Sequence, residues 1–173
     1  MKSLFKSKRV FALVLVLIVT TLLAVPAASA ANPPSGRVKV TNYAYSSYVM
    51  NVYTSGTPLS GDSVTLYTPS GSQSQSWFNQ KISGTSYYRM EGYYQGNIAL
   101  NYNQATTKCT VYTHSGNVAL DYQLTYPNGS YANLIHLVGR SRNLGTSGNS
   151  NGAQLYWYTG SATIEENWKF SLW

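Results

Sequence analysis

The chain has 173 residues, a formal net charge of +7 and one cysteine. That length supports one domain with a good core, and a single cysteine excludes an internal disulfide. Only 10% of residues are charged, against 16 tyrosines, four tryptophans and 14 glycines, a composition suited to strands and turns rather than helices.

The first thirty residues stand apart. Lys2, Lys6, Lys8 and Arg9 form a basic start, residues 11–25 are a nearly unbroken apolar run, Pro26 interrupts it, and Ala28-Ser29-Ala30 is an A-x-A cleavage pattern. This predicts a secretory signal peptide over 1–30 and an extracellular location. The other reading is an uncleaved membrane anchor, but the run is shorter than the ~20 residues a span needs. The leader takes four of the 12 basic residues and none of the five acidic ones. What remains is only mildly basic and its cations are scattered, so no nucleic-acid partner is called for, and no membrane partner after cleavage.

Residues 31–36 (Ala-Asn-Pro-Pro-Ser-Gly) read as a flexible lead-in, and 37–173 as one domain. Val38-Lys39-Val40 alternates as a strand should. Tyr48 to Val52 follows, then a turn-rich stretch through Pro58 and Gly61, then Val64-Thr65-Leu66-Tyr67. Pro69-Ser70-Gly71 turns the chain into Gln75-Ser76-Trp77-Phe78. A second set runs from Tyr88-Arg89-Met90 through Ile98 to Tyr102 and Cys109-Thr110-Val111-Tyr112, then Ser115-Gly116-Asn117 and Leu120-Asp121-Tyr122. Pro127-Asn128-Gly129 is a turn that also fits a glycosylation sequon through Ser130. A third set runs from Leu134 to Val138, through Asn143 to Thr146 and Ala153-Gln154-Leu155-Tyr156, to Glu166-Asn167-Trp168.

Tyr67, Tyr112 and Tyr156 are 45 and 44 residues apart; Trp77, Tyr122 and Trp168 are 45 and 46 apart. Two landmarks on one period mean internal repetition. Three repeats of about 45 residues are too few for an open solenoid and predict a closed three-fold object. With about four short strands per repeat, the expected fold is all-β: a β-trefoil, a six-stranded barrel capped by three hairpins. Val64, Cys109 and Ala153, with Leu66, Val111 and Leu155, should face the core. The three tyrosines should lie near the surface.

The residues resemble the ricin-type β-trefoil lectins. Asn151-Gly152-Ala153-Gln154-Leu155-Tyr156 is similar to that family's middle strand, Gln75-Ser76-Trp77 is a full Gln-x-Trp, Glu166-Asn167-Trp168 is a near match and Leu120-Asp121-Tyr122 a distant one. The resemblance implies a shallow sugar pocket in each repeat. An Asp accepts from sugar hydroxyls, an aromatic stacks on the sugar's C–H face, and an Asn and a Gln complete the network. Carried over by position, repeat one offers Asn51 for the Asp, Tyr67, Ser74 for the Asn, and Gln75. Repeat two offers Asn101 and Tyr112, with Leu120 in place of the Gln. Repeat three offers Gly145, Tyr156, Glu165 and Glu166. No repeat keeps the Asp, and Asn lacks its charge-assisted strength, so repeat one is the best preserved.

Each candidate also has a plainer reading. Tyr67, Tyr112 and Tyr156 suit packing as well as stacking, and Asn51 and Asn101 could satisfy turn backbone. Trp77 and Trp168 read as core, and Cys109 as a small buried residue. Tyr45, Tyr48, Tyr87, Tyr88, Tyr93 and Tyr94 suggest a contact surface, with alternate members partly buried. Catalysis is not indicated. Glu165 and Glu166 are adjacent and on a strand would point apart; His114 and His136 have no clustered ligands, so neither metal nor cofactor is implied; and no nucleophile-elbow motif occurs. Two readings stand: a secreted protein binding cell-surface or wall glycans through up to three sites, or an exported trefoil that binds an extracellular protein instead.

Overall fold

The computed structural model describes residues 36–92, 94, 97–114, 123–126, 133–161 and 163–173. The predicted leader, the turns at 115–117 and 127–129, the sequon, Tyr93, Leu120 and Tyr122 lie outside them. The strands are β1 (Gly36–Asn42), β2 (Val49–Val52), β3 (Val64–Tyr67), β4 (Trp77–Lys81), β5 (Tyr88–Gly92), β6 (Ile98–Tyr102), β7 (Cys109–Thr113), β8 (Leu124–Thr125), β9 (Asn133–Leu134), β10 (His136–Leu137), β11 (Arg142–Thr146), β12 (Leu155–Thr159) and β13 (Asn167–Leu172). Gly36, expected in the lead-in, already belongs to β1. No helix among the described residues is long and apolar enough to cross a membrane.

Strands β9 and β10 are two pieces of one strand, separated only at Ile135, so each repeat contributes four strands. Strand β1 pairs with β4 and β13, β4 with β5, β5 with β8, β8 with β10, and β9 with β13. That circuit is a closed six-stranded barrel. The other strands form three hairpins, β2–β3, β6–β7 and β11–β12. The fold is a β-trefoil, as the period predicts, and closure leaves the barrel without an edge.

Alternation decides what is buried. In β1, Val38, Val40 and Asn42 point inward while Arg37, Lys39 and Thr41 stay partly wet. Asn42 is tolerated inside because its amide donates to the Glu165 carbonyl at 2.9 Å and its oxygen accepts from the Tyr45 N–H at 3.0 Å. Trp77 and Trp168 are fully buried. Their indole N–H groups donate to the carbonyls of Met50 (3.1 Å) and Leu144 (2.8 Å), so each closing strand is tied to its own repeat's hairpin. Cys109 is also fully buried, and desolvation pushes its thiol well above the usual range. Tyr45, Tyr48 and Tyr88 pack against the core while Tyr94 is exposed, so these tyrosines do not form one surface.

The hairpins meet at the pseudo-three-fold axis. Backbone N–H groups of Leu66, Val111 and Trp157 donate to Ala153, Asp62 and Thr107 of a neighbouring repeat, at 2.8, 2.9 and 2.8 Å. The Gln154 side-chain nitrogen lies 2.9, 2.9 and 2.8 Å from the carbonyls of Val64, Cys109 and Leu155. These two sets fix the equivalences, and they correct the sequence alignment of repeat three. Leu155, not Ala153, matches Val64 and Cys109. Tyr156 pairs with Gly145, as Thr65 pairs with Asn51 and Thr110 with Asn101. The counterpart of Tyr67 and Tyr112 is therefore Tyr158. A slip of two residues keeps every side chain on its face, so alternation could not reveal it.

Removing a buried indole leaves a cavity and strands a carbonyl. Trp168→Ala should cost about 3–5 kcal/mol in chemical denaturation; a loss below ~1 kcal/mol would show that β13 does not close the barrel through this residue.

Candidate functional site

Repeat one brings four of its predicted residues together. Asn51 sits on β2 opposite Thr65, Tyr67 ends β3, and Ser74 and Gln75 lie in a 3-10 turn (Gln73–Gln75) leading into β4. Ser72 caps that turn by accepting from the Ser74 N–H at 3.4 Å. Together with Tyr53 they line a shallow, open depression of about 220 Å³. This is below the ~300–1,000 Å³ of pockets for drug-sized ligands and suits one small ring.

The polar groups divide into two kinds. Gln75 is 1% exposed. Its amide nitrogen donates to the Thr68 carbonyl and its oxygen accepts from the Ser70 N–H, both at 2.8 Å. The resemblance places Gln75 in the sugar network; here both ends of its amide hold loop backbone, so it shapes the wall of the depression. Asn51 donates to the Val52 carbonyl at 3.0 Å and accepts from the Ser74 hydroxyl at 2.9 Å. The Ser74–Asn51 pair, with Ser72 Oγ 2.9 Å from Ser74 Oγ, forms a hydroxyl-rich rim. Tyr67 is 38% and Tyr53 61% exposed. Neither phenol has a hydrogen-bond partner among the described residues.

Tyr53 was missed in the sequence. It is the first residue past β2, two after Asn51 and so on its side of the strand, and that spacing was the available signal. Its N–H donates to the Ser63 carbonyl at 2.8 Å, fixing the start of the 53–63 loop.

Repeat two is assembled only in part. Asn101 donates to the hydroxyl of Thr110, its cross-strand partner, at 3.1 Å, and Tyr112 is 49% exposed. Leu120, at the position of Gln75, lies outside the described residues. Beside this hairpin, Glu91 accepts from Arg89 at 2.7 Å and lies 3.2 Å from His114. Burial and then the Arg89 charge push His114 below the usual histidine range, against the pull of Glu91. No group of three or more metal-ligating side chains occurs among the described residues.

Repeat three is filled. A Cβ on Gly145 would lie 2.8 Å from Glu166 Cγ and 3.0 Å from the Tyr158 ring. Glycine stands there because those two side chains already occupy the space an Asn would need. Burial first, then Tyr156 and Glu166, raises the Tyr158 phenol above the usual range. Glu166 matches Gln75 in position and is 5% exposed, with one carboxylate oxygen lacking a partner among the described residues. Glu165 and Glu166, expected on a strand, lie in a 3-10 turn (Ile164–Glu166). The Tyr156 ring is tilted by 57° to the Tyr158 ring, centroids 6.1 Å apart.

No protein-family model and no curated protein matches the chain. Solved structures do. The designed three-fold symmetric protein ThreeFoil is 21% identical with a TM-score of 0.67, over 79% of this chain and 98% of its own. The Rhizoctonia solani agglutinin is 16% identical with a TM-score of 0.67, over 82% and 98%. A Polyporus squamosus lectin, solved bound to the epitope Neu5Acα2-6Galβ1-4GlcNAc, is 7% identical with a TM-score of 0.65, over 81% and 50%. The chain spans only 31% of an exo-β-1,3-galactanase from Clostridium thermocellum and 17% of a mosquitocidal holotoxin with the same kind of fold. At these identities the likeness establishes the β-trefoil fold, which lectins share with modules of larger enzymes and toxins.

The division of labour in repeat one is measurable. Gln75→Ala empties a buried side-chain position and removes both hydrogen bonds that hold the Thr68 and Ser70 backbone, and should cost on the order of 1–3 kcal/mol in chemical denaturation. Ser74→Ala should stay within about 0.5 kcal/mol. Equal costs would contradict the assignment of Gln75 to the loop and Ser74 to the rim.

Proposed function

We propose that the protein is a secreted, lectin-like carbohydrate-binding protein whose working pocket is the depression in repeat one. The observation that carries this reading is the half-exposed Tyr67 ring beside the Asn51–Ser74 rim, with its phenol unpartnered among the described residues. A sugar presents an apolar C–H face and a belt of hydroxyls. An aromatic platform edged by hydroxyls and an amide complements both. Saccharide-bound lectins of the same fold support the reading.

In this account Tyr67 stacks, and Asn51 and Ser74 exchange hydrogen bonds with sugar hydroxyls. Tyr112 with Asn101 is a weaker second platform, and Tyr156 contributes none. In this reading the protein binds its ligand without transforming it. Residues 1–30 direct export and are removed, and the partners are glycans of cell surfaces or walls.

A glycan array probed with residues 31–173, which contain the whole closed barrel, tests this. Selective binding is expected, reduced about tenfold or more in Tyr67→Ala through loss of ~1.5 kcal/mol of stacking. Binding unchanged in a folded Tyr67→Ala would place the site elsewhere, Tyr112 first. No binding by folded protein would overturn the lectin reading in favour of a protein partner.

A further inference from the structure

The depression in repeat one is not isolated. Tyr53 and Tyr67 also line a second concavity, of about 370 Å³, so the two depressions share these two side chains. Its far wall comes from repeat three: Asn151 and Gly152 in the β11–β12 loop, and Gln154. This seam is built. Asn151 Oδ1 accepts from both the N–H and the hydroxyl of Thr68, each at 2.7 Å, and the Gly152 N–H donates to the Leu66 carbonyl at 2.9 Å. The loop is therefore docked on β3 just behind Tyr67.

Two polar groups at the seam lack partners. The Asn151 amide nitrogen has none among the described residues, its oxygen alone being engaged. Thr65, 3% exposed and lining the concavity, has a buried hydroxyl with no partner among the described residues. A buried hydroxyl without a partner is unfavourable unless water or a ligand reaches it. Neither depression is lined by a charged side chain.

We propose that the seam is a second sugar subsite, so that the ligand is a neutral oligosaccharide chain lying across the Tyr53–Tyr67 ridge rather than a single terminal sugar. This rests on the lectin reading of repeat one and adds its ligand class. One ring occupies the Asn51–Ser74 depression. The next crosses the ridge and takes a hydrogen bond from Asn151 Nδ2. A sialylated or uronic chain would bring an anion to a site with no cation to receive it, and is disfavoured.

The test uses residues 31–173 on an array of neutral glycans from one to four residues long, each beside its sialylated form. Wild-type protein should bind neutral disaccharides and longer chains at least tenfold better than the corresponding monosaccharides, and sialylated forms no better than neutral ones. Asn151→Ala should flatten that length dependence and keep monosaccharide binding. Because the alanine also releases Thr68, Thr68→Ala is the control: it removes the hydroxyl bond at the same docking point, keeps the Asn151 donor, and should retain the length dependence. Length-independent binding by wild-type protein, or full length dependence in a folded Asn151→Ala, would overturn the subsite while leaving the repeat-one pocket intact. A preference for sialylated chains would overturn the neutral ligand class. Absence of binding to every glycan would overturn the lectin reading, and this inference with it.

Discussion

Three hairpins that meet on an axis bring three buried backbone carbonyls together, and those carbonyls need donors. Gln154 serves them: its amide nitrogen, with two N–H groups to share, lies within 2.9 Å of the Val64, Cys109 and Leu155 carbonyls, one from each repeat. A three-fold object cannot place three side chains on its own axis, so one repeat must break symmetry to satisfy the other two. Repeat three does so. Around this point the Leu66, Val111 and Trp157 N–H groups lace the repeats together, and the indoles of Trp77 and Trp168 tie the barrel back to the hairpins.

Symmetry broken at the axis is also broken at the surface, and the proposed asymmetry of binding rests on this. In repeat three the space beside Gly145 is taken by Tyr158 and Glu166. In repeat one the equivalent space holds Asn51 and Ser74 and stays open. The β2–β3 connection is the longest of the three hairpin loops, and it is anchored on repeat two through Gly61 N–H to the Val111 carbonyl (2.8 Å) and Ser60 to Thr113 (2.7 Å). That anchoring lets Tyr53 stand exposed beside Tyr67 on backbone that is held before any ligand arrives. A site concentrated in one repeat also limits multivalent avidity, so extension along one ligand chain is the more direct route to affinity.

Much of this was legible in the sequence. The 45-residue period gave three-fold closure, alternation gave the buried valines and leucines, and Gln75-Ser76-Trp77 located the best-formed depression. What was not legible has physical causes. The register of repeat three depends on cross-repeat hydrogen bonds, and a two-residue slip leaves every side chain on its face; only the 45 and 46 spacing of Trp77, Tyr122 and Trp168 hinted that Tyr158, not Tyr156, follows Tyr67 and Tyr112. The role of Gln75 depends on where the Thr68 and Ser70 backbone lies, which no motif encodes. Tyr53 lies outside the resembling motifs altogether, and the seam at Asn151 joins residues 83 positions apart at Thr68.

Repeat one and its seam are proposed as the strongest binding face of a pseudo-symmetric molecule. The most direct measurement is a backbone amide NMR titration of residues 31–173 with a neutral oligosaccharide selected on the array. The account predicts shifts clustered at 51–54, 67–75 and 151–154, with the counterparts around Tyr112 and Tyr158 unmoved at the same ligand concentration. Shifts centred on Tyr112 or Tyr158, or spread equally over the three repeats, would contradict it.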